Sequence, residues 1–268
     1  KGNTSCQSIY WWTSGFFPGI LWYINEYTGD KTFESFAKKW TEKLEPVKTF
    51  KGNHDIGFMM YCSFGNAYRL TQNEKYKDIL IQSAYSLATR FNPQVGTIKS
   101  WDSWRSWENK HVFKYPVIID NMMNLELLFW ASKATGDPSF RNIAISHAEK
   151  TMKYQIRKDG SSYHRACYDP ETGNFIKGET SQGYSNESTW SRGQGWGIYG
   201  FTLCYRETKD PRFLKTAQRM ADYYINHPNL PSDKIPWWDF DTHRPGFIPG
   251  KFSKTNKYIQ NYRDASAA

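Results

Sequence analysis

NMMNLELLFWASKATGDPSFRNIAISHAEK, residues 121–150, holds two helical patterns of different kinds separated by a three-residue break. Residues 121–134 are apolar or small on nearly every side, which marks a helix enclosed by others. After the break TGD, Phe140, Ile143, Ala144 and Ala148 recur at helical spacing on one face, leaving the opposite face polar. That pattern belongs to a helix with one wet side. The stretch therefore predicts a helical hairpin: an enclosed helix, a tight turn and an outer helix.

The hairpin repeats. TGDKTF ends at Phe33, QNEKY at Tyr76, TGDPSF at Phe140 and TKDPRF at Phe213, and each opens an amphipathic helix. Each follows an apolar run: GFFPGILWYINEY, IGFMMYCSFGNAYRL, NMMNLELLFWASKA and GWGIYGFTLCYRE. Repeats of this kind stack side by side, so the expected architecture is all-α, a toroid of helical hairpins with an inner ring inside an outer one. Long returns rich in Trp, Gly and Asn lead from each outer helix to the next inner one.

Equal distances from the turns mean equal depth. Trp12, Asp55, Asp120 and Arg192 stand 18, 19, 17 and 18 residues before the acidic turn residues Asp30, Glu74, Asp137 and Asp210. At about 1.5 Å per helical residue, that level lies about 27 Å from the turns, at the opposite rim. The four side chains are expected to share one mouth, joined by Arg263, Asp264 and Ser266 at the start of a further inner helix.

Asp120 interrupts the otherwise apolar run YPVIIDNMMNLELLFW, residues 115–130. Burial of an ionised carboxylate is costly unless something holds it, and otherwise its pKa rises. Helix N-capping is the plainer reading of Asp120 and of Asp55 taken singly. Two carboxylates beside Arg192 favour acid–base chemistry, with Asp120 as the proton carrier and Asp55, next to His54, as the ionised partner. Arg192 suits bidentate recognition of a carboxylate or sulfate, or a structural ion pair. Gly193, Gly195, Gly197 and Gly200 weaken their helix and so point to close contacts, with helix packing the reading for Gly197 and Gly200. Trp101, Trp104, Trp107, Trp196, His164 and Gln182, lying in the returns or beside Arg192, supply the flat faces and polar heads of a sugar pocket.

Composition excludes other classes. No run of 18 apolar residues is present, so no membrane helix is expected. The net charge of +9 is scattered and makes no basic stripe, which argues for an anionic ligand and against nucleic acid. No Cys/His cluster has metal-ligand spacing and no glycine-rich loop follows a strand, so neither metal nor cofactor is expected. Cys6, Cys62, Cys167 and Cys204 are far apart and read as free thiols, with one disulfide left open. The chain starts without Met and stops at RDASAA in what reads as the beginning of a helix, so both ends are expected to be cut. A leader would then be lost, leaving bacterial periplasm and cytoplasm equally open, and the oligomeric state unspecified.

WTSGFFPGILWYINEYTGD, GNHDIGF, VIIDNMMNLELLFWASKATGD and STWSRGQGWGIYGFT, with RDASAA, together resemble glycoside hydrolase family 88, the unsaturated glucuronyl hydrolases. The RGQGW motif favours this family over the related unsaturated rhamnogalacturonyl hydrolases, where Asn commonly replaces that Gln. The resemblance implies an (α/α)6 barrel that occupies residues 1–268 as one catalytic domain lacking its terminal helices. It also implies release of 4,5-unsaturated glucuronate from the non-reducing end of lyase-generated, glycosaminoglycan-type oligosaccharides, by hydration of a vinyl ether. Asp120 then matches the proton donor and Asp55 its assistant, while Trp12, Trp104, His164, Gln182, Arg192 and Trp196 match substrate contacts. Ser181 departs from the family, which often has His there. Two alternatives share these residues: an inverting glycosidase acting on saturated acidic oligosaccharides, and a non-catalytic carbohydrate-binding repeat protein. Nothing in the sequence separates chondroitin, hyaluronan and heparin products.

Overall fold

The computed structural model describes residues 7–106, 111–246 and 262–267. Cys6 and Trp107 lie outside them. The chain divides into two compact units, Lys1–Arg90 with Asn124–Asn142, and Phe91–Met123 with Ile143–Ala268.

The helices are α1 (Phe16–Thr28), α2 (Lys31–Glu42), α3 (Ile56–Met60), α4 (Asn66–Thr71), α5 (Glu74–Ala88), α6 (Asn121–Thr135), α7 (Pro138–Tyr154), α8 (Ser191–Thr208) and α9 (Pro211–Ile225). A π-helical turn, Tyr61–Gly65, joins α3 to α4, so the second enclosed run is one interrupted rod. The four expected hairpins are thus α1/α2, α3–α4/α5, α6/α7 and α8/α9. Trp22, Met59, Met60, Phe64, Leu125, Leu128 and Phe201 on the first members are fully or almost fully buried, while the outer helices keep a polar face.

One turn chemistry serves all four. Gly29, Gln72, Gly136 and Lys209 end the inner helices with φ of 69°, 53°, 75° and 60°. Glycine relieves that left-handed strain in two of them. The preceding Thr28, Thr71, Thr135 and Thr208 donate to carbonyls one turn back at 2.7–2.8 Å. Asp30, Asn73, Asp137 and Asp210 then cap the outer helices, accepting from the N–H two residues on at 2.7–3.0 Å. The equivalent residue in the second repeat is therefore Asn73 and not Glu74, because the position needs a short side-chain acceptor ahead of the first turn. Asp55 then stands 18 residues ahead of its cap, as Trp12 and Arg192 do.

The returns carry short strands: β1 (Phe91–Asn92) with β2 (Thr97–Ile98), β3 (Trp104–Arg105) with β4 (Val112–Phe113), and β5 (Tyr115–Ile118), β6 (Arg165–Tyr168) and β7 (Phe175–Glu179) in one antiparallel sheet. The first quarter of the apolar run 115–130 is thus strand β5, paired Tyr115 to Tyr168 and Ile118 to Arg165. It packs Tyr115 and Val117 against Val95, Ala166 and Tyr168. Asp120 sits at the corner where this buried strand gives way to α6.

Close packing in the second unit holds that corner against α8. A Cβ on Gly200 would lie 2.3 Å from Met122 Cβ, and one on Gly197 2.3 Å from Met220 Cε. The glycines of α8 are contact points, as the sequence suggested for these two. Gly200→Ala is expected to lower stability by about 1–3 kcal/mol, since the nearest atoms include the Met122 backbone. Urea unfolding checks this, and an unchanged midpoint would show that α8 does not need the contact.

Candidate functional site

Asp120 is a helix-terminal acid without the environment of a cap. Asp137 and Asp210 are held below the usual carboxylate range, the first by Ser139 and the second by Arg212. Asp120 moves the other way, pushed up to about 7. Burial is the main cause, opposed by the charge of Arg192, by its own backbone N–H and by the Trp196 indole. Oδ1 is shut off from solvent with no partner at hydrogen-bond geometry, and so is Trp196 Nε1. The two groups interact without forming a good bond. A carboxyl near its midpoint at neutral pH can hold a proton and give it away.

Arg192, one residue into α8, does not compensate fully because its guanidinium is shared. Nη1 donates to Asp264 Oδ2 at 3.0 Å and to Ser266 Oγ at 3.4 Å, and Nη2 to Gln182 Oε1 at 3.1 Å. The plane also lies 4.7 Å from the centre of the Trp190 ring. An ion pair and an orienting role thus coincide at Arg192. Asp264 and Ser266 join the site as expected. Arg263 turns away, its Nε donating to Ile235 O at 2.8 Å, with Asp233 as its ion-pair partner.

His164 is buried, and its Nδ1 accepts from the N–H groups of Ser181 at 3.0 Å and Gln182 at 3.2 Å. Those bonds leave the ring proton on Nε2. Ser181 therefore supports His164 through its backbone, and its hydroxyl lies 3.1 Å from the same nitrogen. The His164 ring packs 4.5 Å from Trp190. Trp190 thus links Arg192 to His164, and Gln182 meets both. Gln194, in the same RGQGW motif, is wholly structural: it is buried, accepts from Ser162 Oγ and donates to Gly160 O and Met220 O.

The loop carrying Gln182 is anchored by Asp239. Its Oδ2 accepts from Tyr184 N at 2.8 Å and Ser188 Oγ at 2.7 Å, and its Oδ1 from Asp241 N at 2.9 Å. Burial first, and then the charge of Asp241, push Asp239 up to about 6. Trp104 packs against Trp101 at 4.6 Å with the rings tilted by 31°, and the Arg165 charge lies over its ring, 5.0 Å from the centre. Arg165 follows His164 in the chain and pairs with the buried Glu179. The sequence reading missed Trp190 and Asp239. Trp190 looked like one aromatic among many, and Asp239 lies 57 residues from Gln182 in a stretch without repeat pattern.

In the first unit, Trp12 lies ahead of α1, edge-on to Phe16 at 6.0 Å and to Phe58 at 6.5 Å. Asp55 precedes α3 without a side-chain cap bond, with His54 Nε2 3.1 Å from its Oδ1. So neither proposed acid caps its helix in the manner of Asp30, Asp137 or Asp210. Among the described residues no cluster of His, Cys, Asp and Glu could hold a metal ion. No helix there is long and apolar enough to cross a membrane. Cys62, Cys167 and Cys204 are free.

The family model described as Glycosyl Hydrolase Family 88 matches residues 3–205. An unsaturated glucuronyl hydrolase of Formosa agariphila is 48% identical over 86% of this chain and 56% of its own length. The crystal structure of an unsaturated glucuronyl hydrolase specific for heparin aligns with a TM-score of 0.83 at 48% identity, over 89% of this chain and 62% of that one. The structure of the enzyme from Bacillus sp. GL1, described as responsible for the degradation of glycosaminoglycan, gives 0.79 at 35%, over 96% and 64%. This chain therefore spans less than two thirds of the length of each. The likeness places the fold in the all-α class, of the (α/α)6 kind built from helical hairpins.

A group protonated when folded and ionised when unfolded makes stability depend on pH. Between the ordinary Asp value of about 3.9 and its folded value of about 7, Asp120 binds a proton only in the folded chain. Stability is therefore lost as pH rises through that window. Asp120→Asn removes the dependence and should be the more stable protein above about pH 8, by on the order of a few kcal/mol. Parallel melting curves across pH would show that the carboxyl ionises as easily in the folded state as in the unfolded one.

Proposed function

Since the chain belongs to glycoside hydrolase family 88, we propose that it releases 4,5-unsaturated glucuronic acid from the non-reducing end of lyase-generated, glycosaminoglycan-type oligosaccharides. The observation that carries this is Asp120, a carboxyl raised to about 7 beside a shared arginine. A vinyl ether needs a proton on carbon, and a carboxylic acid still protonated near neutral pH is the group to deliver it.

The Asp120 proton goes to C4, and the double-bond electrons form the new C–H bond, leaving positive charge shared by C5 and the ring oxygen. Water adds at C5, and its surplus proton returns to the Asp120 carboxylate. The resulting hemiketal opens to a C5 ketone, and the freed C1 hydroxyl becomes an aldehyde as the bond to the neighbouring sugar breaks. The sum is one water consumed and one glycosidic bond cleaved, with Asp120 regenerated. Asp55 is the assisting acid that also binds ring hydroxyls.

The substrate contacts are Trp12, Trp104, His164, Gln182, Arg192 and Trp196. His164 presents an Nε2–H suited to a sugar hydroxyl, and the Arg192 side chain with its surroundings attracts the uronate. The chain is read as one catalytic domain over residues 1–268, with no metal or cofactor in the reaction.

Asp120→Asn should lower kcat by about 10²- to 10⁴-fold on an unsaturated disaccharide, followed by loss of the ultraviolet absorbance of its C=C bond. Turnover surviving in this variant contradicts the mechanism. Hydrolysis of the matching saturated disaccharide would instead support an inverting glycosidase. In the wild type, kcat/KM should fall as pH rises through about 7, because the required form of Asp120 is the protonated one.

A further inference from the structure

Phe58 N–H donates to Asn124 Oδ1 at 2.9 Å, which fixes which way round the Asn124 amide lies. Its Nδ2 is then the atom 3.0 Å from His54 Nδ1. An amide nitrogen only donates, so Nδ1 accepts and the His54 ring proton sits on Nε2. That nitrogen is the one 3.1 Å from Asp55 Oδ1, a close contact that is not aligned as a hydrogen bond, so the N–H faces the carboxylate obliquely. His54 is fully buried, so its ring is not free to turn toward solvent.

The sequence makes room for this chain of groups at one residue. A Cβ on Gly57 would lie 2.3 Å from Asn124 Oδ1 and 2.6 Å from Asn124 Cβ. Only glycine lets Asn124 come close enough to reach both His54 and the Phe58 amide. The His54 ring also meets Phe58 edge-on at 6.4 Å, and Phe58 meets Trp12. His54 therefore sits between two of the residues proposed for the reaction without belonging to the substrate contacts.

We propose that His54 is a positioning residue for Asp55: Asn124 fixes its tautomer, and its Nε2–H orients the Asp55 carboxylate for turnover. This rests on the reading of Asp55 as the assisting acid. Neither the resemblance nor the spacing of the repeats assigns His54 or Asn124 a role. Burial and tautomer together make the arrangement directional, since a histidine with its proton on Nδ1 would present a lone pair to the carboxylate.

Two measurements on the full chain test it. Long-range nitrogen-15 NMR of the ring-labelled histidines, with His54 assigned by its loss in His54→Gln, should show the Nε2–H tautomer and an Nε2 shift that moves in Asp55→Asn. An Nδ1–H tautomer, or a His54 signal indifferent to Asp55→Asn, overturns the proposal without touching the role of Asp55. In kinetics, His54→Leu should lose about 10- to 100-fold in kcat while His54→Gln, which keeps a donor, stays within about threefold of wild type. Loss in His54→Leu that only follows the unfolded fraction in melting curves, with no recovery in His54→Gln, assigns His54 to packing alone and also overturns it. Full activity in Asp55→Asn removes the reading on which the proposal rests, and the proposal with it.

Discussion

The cost of keeping the Asp120 carboxyl away from water is the constraint around which its unit is arranged. A cation at close range ordinarily pulls such a group below the normal carboxylate range. Here Arg192 is present and the shift is still upward, to about 7, so desolvation outweighs the cation. The reason is visible in how the guanidinium is used. Its nitrogens serve Asp264, Ser266 and Gln182, and much of its charge is already answered by Asp264. Each pKa unit corresponds to about 1.4 kcal/mol, so a change in that sharing worth about 2 kcal/mol would leave Asp120 mostly an anion at neutral pH.

Packing supplies the desolvation and backbone chemistry supplies the placement. Strand β5 ends beside His164, where Ile119 N–H donates to the His164 carbonyl at 2.9 Å, and α6 begins two residues later. Gly200 admits Met122 next to that corner, which brings α8 and therefore Arg192 into range. The same residue type thus takes opposite states at opposite ends of a hairpin. At the turns, Asp137 and Asp210 accept from exposed N–H groups and favour the anion. At the corner, Asp120 has one oxygen without any donor and favours the acid.

Hairpins were legible because their signal is local. Apolar spacing, the T-x-Asp/Asn turn and the amphipathic run after it lie within thirty residues, and the helices and turns of all four repeats form where they were read. The one misplaced turn residue, Glu74 for Asn73, came from following charge where geometry selects a short acceptor. Asp120 and Arg192 were legible from their distance to the turns, and Asp264 from the motif that follows. Less was legible where contacts are made across long returns. Strand β5 hid inside an apolar run, the Asp239 anchor lies far from Gln182 in sequence, and Trp190 has no pattern to mark it. The Asn124–His54 pairing joins residues 70 apart through a single glycine, which only coordinates reveal.

Selective carbon-13 labelling of aspartate carboxyls, with the Asp120 resonance assigned by its loss in Asp120→Asn, measures the central quantity directly. Titration followed by NMR should place its midpoint near 7, well apart from Asp137 and Asp210 below the ordinary range. A midpoint at or below about 4 would mean that the carboxyl is an anion at working pH. Asp120 could not then be the proton donor, and Arg192 would be its salt-bridge partner instead.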